Sequence, residues 1–265
     1  MSDDINLSLL VFAVKNRNNP IMDWLKRFRR YYIYPMFRPL TRYRTSNTAS
    51  ISVYFKHHLD GGGRGIGHWF IPFLQSRGMP KQRRIFEWCA GPGFIGFALL
   101  AHGLCESLCL ADVNPEAVAA CRRTVEANRL SERVSVYRSN NLRDIPATER
   151  WDLVVSNPPH FEGDYVLGEP TMEYPGDLRL RDRDWSVHRE FFANVSRFLN
   201  PNGVILLEES TAGSTVDTFQ NMIHEAGLEV MFVQGSPGQK TTHTGIYWIG
   251  IKRAGDTTPP WAIQL

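Results

Sequence analysis

From residue 84 onward the chain repeats one rhythm: a short apolar run, a turn, then a longer stretch of helical apolar spacing. Arg84-Ile85-Phe86-Glu87-Trp88 reads as a short buried strand that enters a glycine-rich loop. Phe94 to His102 is apolar and helix-like, and Ser107 to Ala111 is a second strand. Asn114-Pro115-Glu116 opens a helix reaching about Asn128, since Asn caps a helix start and Pro suits its first turn. Arg133 to Arg138 alternates as a third strand. Trp151 to Ser156 is a fourth, and its Leu153-Val154-Val155 run marks a strand covered on both faces. Asp184 to Leu199 reads as a helix and Gly203 to Glu208 as a fifth strand, introduced by a turn at Asn200-Pro201-Asn202-Gly203. Thr215 to Ala226 is a helix, and Leu228 to Val233 and Gly245 to Lys252 are the last strands.

Strands that alternate with helices predict an α/β fold, a parallel sheet with helices on both faces. No helix fits between Gln234 and Thr244, so the last strand is expected to return antiparallel. This regular part, residues 84–265, is expected to form one domain behind an extension of residues 1–83. The long turn-rich stretch from Phe161 to Arg183 is of a length that is usually functional or disordered.

Composition narrows the class without naming it. A chain of 265 residues with 43% hydrophobic and 22% charged positions is ordinary globular material, not a disordered, collagen-like or coiled-coil sequence. The four cysteines (89, 105, 109 and 121) show no CxxC spacing and no nearby histidine cluster. No metal site or disulfide framework is expected, and a reducing compartment, the cytoplasm, is the default. The apolar run Ile5 to Val14 is too short for a membrane span and follows two acids, so it reads as packing rather than an export signal or integral membrane segment. The net charge of +3 hides an asymmetry: residues 1–84 carry +11 and residues 85–265 carry −8. A basic extension on an acidic body suits a polyanionic partner, or equally a self-contact of opposite charges.

Three short segments carry candidate chemistry. Glu87-Trp88-Cys89-Ala90-Gly91-Pro92-Gly93-Phe94-Ile95-Gly96 joins a strand to a helix, where glycines let the backbone approach a ligand at a helix N-terminus. Phosphate, dinucleotide and adenosyl ligands all use such loops, and so do plain tight turns. Asp112 ends the second strand 21 residues after Gly91, the offset of an acid that holds ribose hydroxyls; it also suits a helix cap. Ser156-Asn157-Pro158-Pro159-His160 follows the fourth strand directly. Its prolines hold an extended backbone that fixes Asn157 in space, and they also suit a strand-ending turn.

In order and spacing these three segments resemble the class I S-adenosylmethionine-dependent methyltransferases, and within them the N-methyltransferases with an Asn-Pro-Pro-aromatic motif. That group includes release-factor glutamine methyltransferases and amino-methyltransferases of RNA and DNA. The resemblance spans roughly residues 84–253. It implies a Rossmann-like seven-stranded sheet, mostly parallel with an antiparallel last strand, and S-adenosyl-L-methionine as cofactor. By the resemblance Glu87, Ala90, Gly91 and Gly93 surround the methionine part of the cofactor. Asp112 holds the ribose and Val113 lies beside the adenine. Asn141, with Leu142 next to it, takes the place that usually offers an acid to the adenine amine. Asn157 and the Pro158 carbonyl grip the acceptor nitrogen, with Pro159 and His160 completing the motif. His160 departs from the commoner Tyr or Phe; stacking on a planar acceptor is its preferred role, with late proton removal as the alternative.

Features outside these motifs divide on the acceptor. Met22 to Tyr32 is basic and aromatic, suited to nucleic acid or anionic lipid, with its aromatics also at the spacing of one buried helix face. Asp60 to Trp69 is glycine-rich and includes Arg64, placed to pair with the cofactor's carboxylate if the stretch is more than a hinge. Glu162 to Asp184 holds seven acids against three arginines, a wall that suits a cationic small molecule better than a phosphate backbone. The expectation is an N-methyltransferase acting on an RNA base or a protein glutamine amide through the basic extension. A small amino- or guanidino-metabolite is the alternative acceptor, and a non-catalytic cofactor-binding subunit is a third reading that the intact Asn-Pro-Pro opposes.

Overall fold

The computed structural model describes residues 42–60, 63–162, 165–166, 169–170, 181–235 and 245–263. The runs Ile5 to Val14 and Met22 to Tyr32 and most of Glu162 to Asp184 lie outside these residues. Tyr43–Leu265 form one compact unit, and the expected boundary at residue 84 falls inside it. The reason is a hairpin of β1 (Arg44–Thr48) and β2 (Ile51–Phe55), followed by helix α1 (Gly63–Ser76), which the strand–helix rhythm did not announce. Ile51, Val53 and Phe55 alternate along β2, and Phe70, Phe73 and Leu74 share a face of α1; all enter the core.

Seven strands build the main sheet: β3 (Gln82–Glu87), β4 (Cys105–Asp112), β5 (Val134–Arg138), β6 (Trp151–Ser156), β9 (Leu199–Ser210), β10 (Leu228–Gly235) and β11 (Ile246–Arg253). A small hairpin, β7 (Tyr165–Val166) and β8 (Glu169–Pro170), stands apart from it. The sheet order is β10-β11-β9-β6-β3-β4-β5. Only β11 runs against its neighbours, inserted between β9 and β10. Helices α2 (Phe94–Ala101), α3 (Pro115–Ala127), α4 (Ser186–Val195) and α5 (Val216–Glu225) complete the unit.

Both sheet faces are buried, and adjacent strand residues divide between them. Ile85, Leu153 and Leu206 join the core shared with α1 and α2; Phe86, Val154 and Ile205 join the one shared with α4 and α5. That division is why the strands read as continuous apolar runs. The turn expected at Asn200 to Gly203 is instead a bulge inside β9. Trp151 pairs with Leu199 but Leu153 pairs with Val204, and Asn202 adopts φ 60°. The helix expected from Asp184 is shorter, because Asp184 and Trp185 take left-handed φ values of 55° and 52°. No helix of the described residues is long and apolar enough to cross a membrane.

Candidate active site

The chain leaves β3 toward β4 and β5 on one side, and later enters β6 and β9 on the other. This reversal opens a crevice at the carboxyl ends of β3 and β6, where open α/β sheets bind ligands. The loop after β3 enters that crevice. Its Ala90 amide donates to the Ala111 carbonyl at 3.0 Å, and Gly93 closes a turn onto the Ala90 carbonyl at 2.7 Å. Gly91 has φ 52°, and a Cβ there would meet nothing within 4 Å, so the backbone borders open space. Glu87 is buried beneath the loop. Its oxygens accept the Ile95 and Gly96 amides at 3.3 and 2.7 Å, so the Glu87 carboxyl group caps the start of α2. Burial pushes the Glu87 pKa up to about 8 against those amide bonds. Glu87 thus shapes the loop from below.

Asp112 accepts the Gly91 amide at 2.7 Å through one oxygen and the Asn114 amide at 2.8 Å through the other. Burial raises its pKa, opposed by these amides and that of Val113. Each oxygen keeps a second lone pair for a ligand hydroxyl. Asn114 caps α3 by accepting the Glu116 amide at 3.0 Å, so cap and candidate ribose acid are neighbours rather than alternatives. Val113 beside them is 42% exposed, an unusual position for a large apolar side chain in this unit. Asn141 is buried at φ 57°; its Nδ2 donates to the Val187 carbonyl at 2.8 Å and its Oδ1 has no partner among the described residues. A buried acceptor without a donor fits a ligand amine. Leu142 is packed into the core with Ile145. Arg64 is exposed and paired with Asp60, four residues earlier, at 3.3 Å.

The Ser156 hydroxyl donates to the Trp88 carbonyl at 2.6 Å, binding the end of β6 to the end of β3. Asn157 is thereby held beside the glycine loop. Pro158 and Pro159 are buried, and the buried amide nitrogen of Asn157 has no partner among the described residues. The His160 carbonyl lies so close to Gly213 that a Cβ there would come within 2.0 Å of it. His160 Nδ1 is 3.0 Å from Glu209 Oε2. Glu209 Oε1 in turn meets His188 Nε2 at 3.0 Å, and His188 Nδ1 meets Asp182 Oδ2 at 2.6 Å. Glu209 and His188 did not emerge from the sequence reading as functional residues, and Asp182 entered it only as one of the seven acids of Glu162 to Asp184. Available signals were two acids, Glu208-Glu209, closing an apolar strand, and a histidine on the apolar face of a helix with Phe191 and Phe192.

Residues 48–171 match the Methyltransferase small domain family. The chain is 26% identical over 146 residues to the ribosomal protein uL3 glutamine methyltransferase of Francisella tularensis subsp. tularensis, covering 54% of this chain and 46% of that protein. It spans about half the length of the curated relatives it matches. Among solved structures, Trm5b from Pyrococcus abyssi aligns with a TM-score of 0.54 at 15% identity, over 80% of this chain and 56% of that one. The T. thermophilus 16S rRNA N2 G1207 methyltransferase RsmC, solved with AdoMet and guanosine, aligns with a TM-score of 0.52 at 15% identity, over 78% and 50% of the two chains. The fold is the Rossmann-like methyltransferase fold, and the segment that matches the Methyltransferase small domain family, residues 48–171, contains the glycine loop, Asp112 and Asn157.

Proposed function

We propose that this protein is an S-adenosylmethionine-dependent N-methyltransferase acting on a planar nitrogen of a macromolecule, an RNA base or a protein glutamine amide. The observation that carries this reading is the placement of Asn157. Asn157 stands at the end of β6, tied through Ser156 and Trp88 to the loop that Asp112 organises, where its side-chain oxygen is the group able to accept an N–H. Gly91, Asp112, Val113 and the orphaned Asn141 oxygen would hold the cofactor, which supplies an electrophilic methyl group when bound. Asn157 and the Pro158 carbonyl would accept the acceptor's N–H groups. Those bonds favour a pyramidal nitrogen, whose lone pair is no longer delocalised, and they align it for in-line attack. The relatives' acceptors, a ribosomal-protein glutamine and a guanosine of ribosomal RNA, support a macromolecular substrate. Four free cysteines support a reducing, cytoplasmic setting.

The basic residues 1–84 favour RNA; the acidic segment Glu162 to Asp184 favours a cationic amino- or guanidino-metabolite as the second reading. Incubation with radiolabelled S-adenosylmethionine and, separately, total RNA, ribosomal protein and a metabolite extract decides between them. Label confined to the metabolite fraction overturns the first reading. With RNA as acceptor, replacing Arg27, Arg29 and Arg30 by Ala lowers the salt slope of binding by roughly one per lost phosphate contact.

A further inference from the structure

Asp182, His188, Glu209 and His160 form one unbroken line of hydrogen bonds from the core to the acceptor motif. The first three are wholly buried, while the His160 side chain keeps 14% of its exposure. The line therefore reaches solvent at His160. It is also braced. Asp182 accepts the Val187 and His188 amides at 2.8 and 2.9 Å, and its own amide donates to the Phe161 carbonyl next to the motif at 2.9 Å. Phe219 stacks on the His188 ring at 4.7 Å, and Trp88 and Trp185 stand perpendicular to it at 5.3 and 5.6 Å.

Proton positions along the line follow from what each partner can do. His188 has a carboxylate on either ring nitrogen. Burial alone would lower its pKa, but bonds to Asp182 and Glu209 outweigh burial and push it up to about 9. At neutral pH His188 is then an imidazolium that donates from both nitrogens. Glu209, despite burial, is held below the usual carboxylate range by His160 and His188, so it is ionised and can only accept. The hydrogen in the 3.0 Å contact must therefore sit on His160 Nδ1. A neutral His160 in that tautomer has its lone pair on Nε2. The line carries one net negative charge with His160 neutral and none once Nε2 takes a proton. A ring that only stacks on an acceptor needs no buried carboxylate behind it, and burying one is costly.

We propose that His160 Nε2 is the base that takes the proton released by the acceptor nitrogen, with Glu209 as its positioning residue and His188–Asp182 as the anchor of Glu209. The proposal rests on the methyl-transfer reading. In the balanced step, the nitrogen lone pair forms the N–C bond and the electron pair of the breaking C–S bond stays on sulfur. The nitrogen's proton passes to Nε2 and leaves later to water.

Two measurements on the full chain test this. Long-range 1H–15N spectra of histidine-labelled protein read the His160 tautomer directly, without substrate. A hydrogen on Nδ1, moving to a tautomer mixture in Glu209→Gln, is the expected result; a hydrogen on Nε2 in the wild type overturns the proposal. The second measurement uses whichever acceptor pool takes label from S-adenosylmethionine. His160→Phe keeps the ring and removes the base. Its kcat should fall on the order of 100-fold or more, with acceptor KM and calorimetric cofactor affinity nearly unchanged. A His160→Phe protein with wild-type kcat overturns the proposal and leaves methyl transfer standing. A wild type that labels no pool overturns the methyl-transfer reading and this proposal with it. Should Glu209→Gln fail to fold, the wild-type tautomer and His160→Phe still decide.

Discussion

Asp112 Oδ2 accepts the backbone amide of Gly91 at 2.7 Å, joining the end of β4 to the loop after β3. One carboxylate thus builds the loop and faces the space the loop borders. Asp112→Ala is expected to weaken S-adenosylmethionine binding by about 1.5–3 kcal/mol for each charge-assisted bond lost. Isothermal calorimetry on the folded variant checks this, and unchanged affinity would remove Asp112 from the cofactor site.

Asn157→Ala separates binding from chemistry. Its side chain has an unpartnered buried nitrogen and supports no other described element. Cofactor affinity should stay near wild type while turnover falls on the order of 100-fold, about 2.7 kcal/mol of transition-state stabilisation. A variant that methylates at the wild-type rate leaves Asn157 a purely structural role and weakens the nitrogen-acceptor reading.

Two glycines should respond oppositely. A Cβ on Gly96 would lie 2.7 Å from both Glu87 Oε2 and Leu108 Cδ1, inside the packed start of α2. Gly96→Ala is expected to cost about 1–3 kcal/mol of stability through overpacking. A Cβ on Gly91 meets no protein atom, although its φ of 52° adds strain of about 1–2 kcal/mol. Gly91→Ala should lose more cofactor affinity than its smaller change in denaturant midpoint explains. Equal behaviour of the two variants in both assays would contradict this geometry.

Stability should decline as pH rises through the neutral range. Its two carboxylate partners push the folded His188 pKa up to about 9 from an ordinary 6.5, so its contribution is complete below 6.5 and lost as pH passes 9. Glu87 and Glu208, pushed up to about 8 by burial from 4.5, act in the same direction: protonated folded carboxyls face ionised unfolded ones as pH climbs from 4.5 to 8. Urea unfolding at pH 6 and 9.5 should show the loss. His188→Gln should flatten its upper part, and should cost about 3–5 kcal/mol at pH 6 by stranding two buried carboxylates. A stability that rises with pH would refute the assigned protonation of all three groups.

Elements whose cause is local were legible in the sequence. The β3, β4 and β6 strands, the Asn114 cap of α3, the offset of Asp112 from Gly91 and the Asn157-Pro158-Pro159 run at the end of β6 all rest on side-chain period, turn chemistry and short-range spacing. Those features named the fold class and the candidate residues of the site. The hairpin before α1 was not legible, because its strands are short and find their cover on α3: the Tyr54 amide donates to Thr124 Oγ1 at 2.8 Å, and Asn128 bonds both backbone groups of Ser52. Nor was the line behind His160. Glu209 reads as one more acid at a strand end until β6, β9 and α4 are assembled, and only then do His160 and His188 reach its two oxygens. Periodicity dictates which side of a strand a residue occupies. Which distant residue waits there, and whether water is excluded enough to hold an ionised carboxylate between two imidazoles, is settled by the packing of the sheet against its helices.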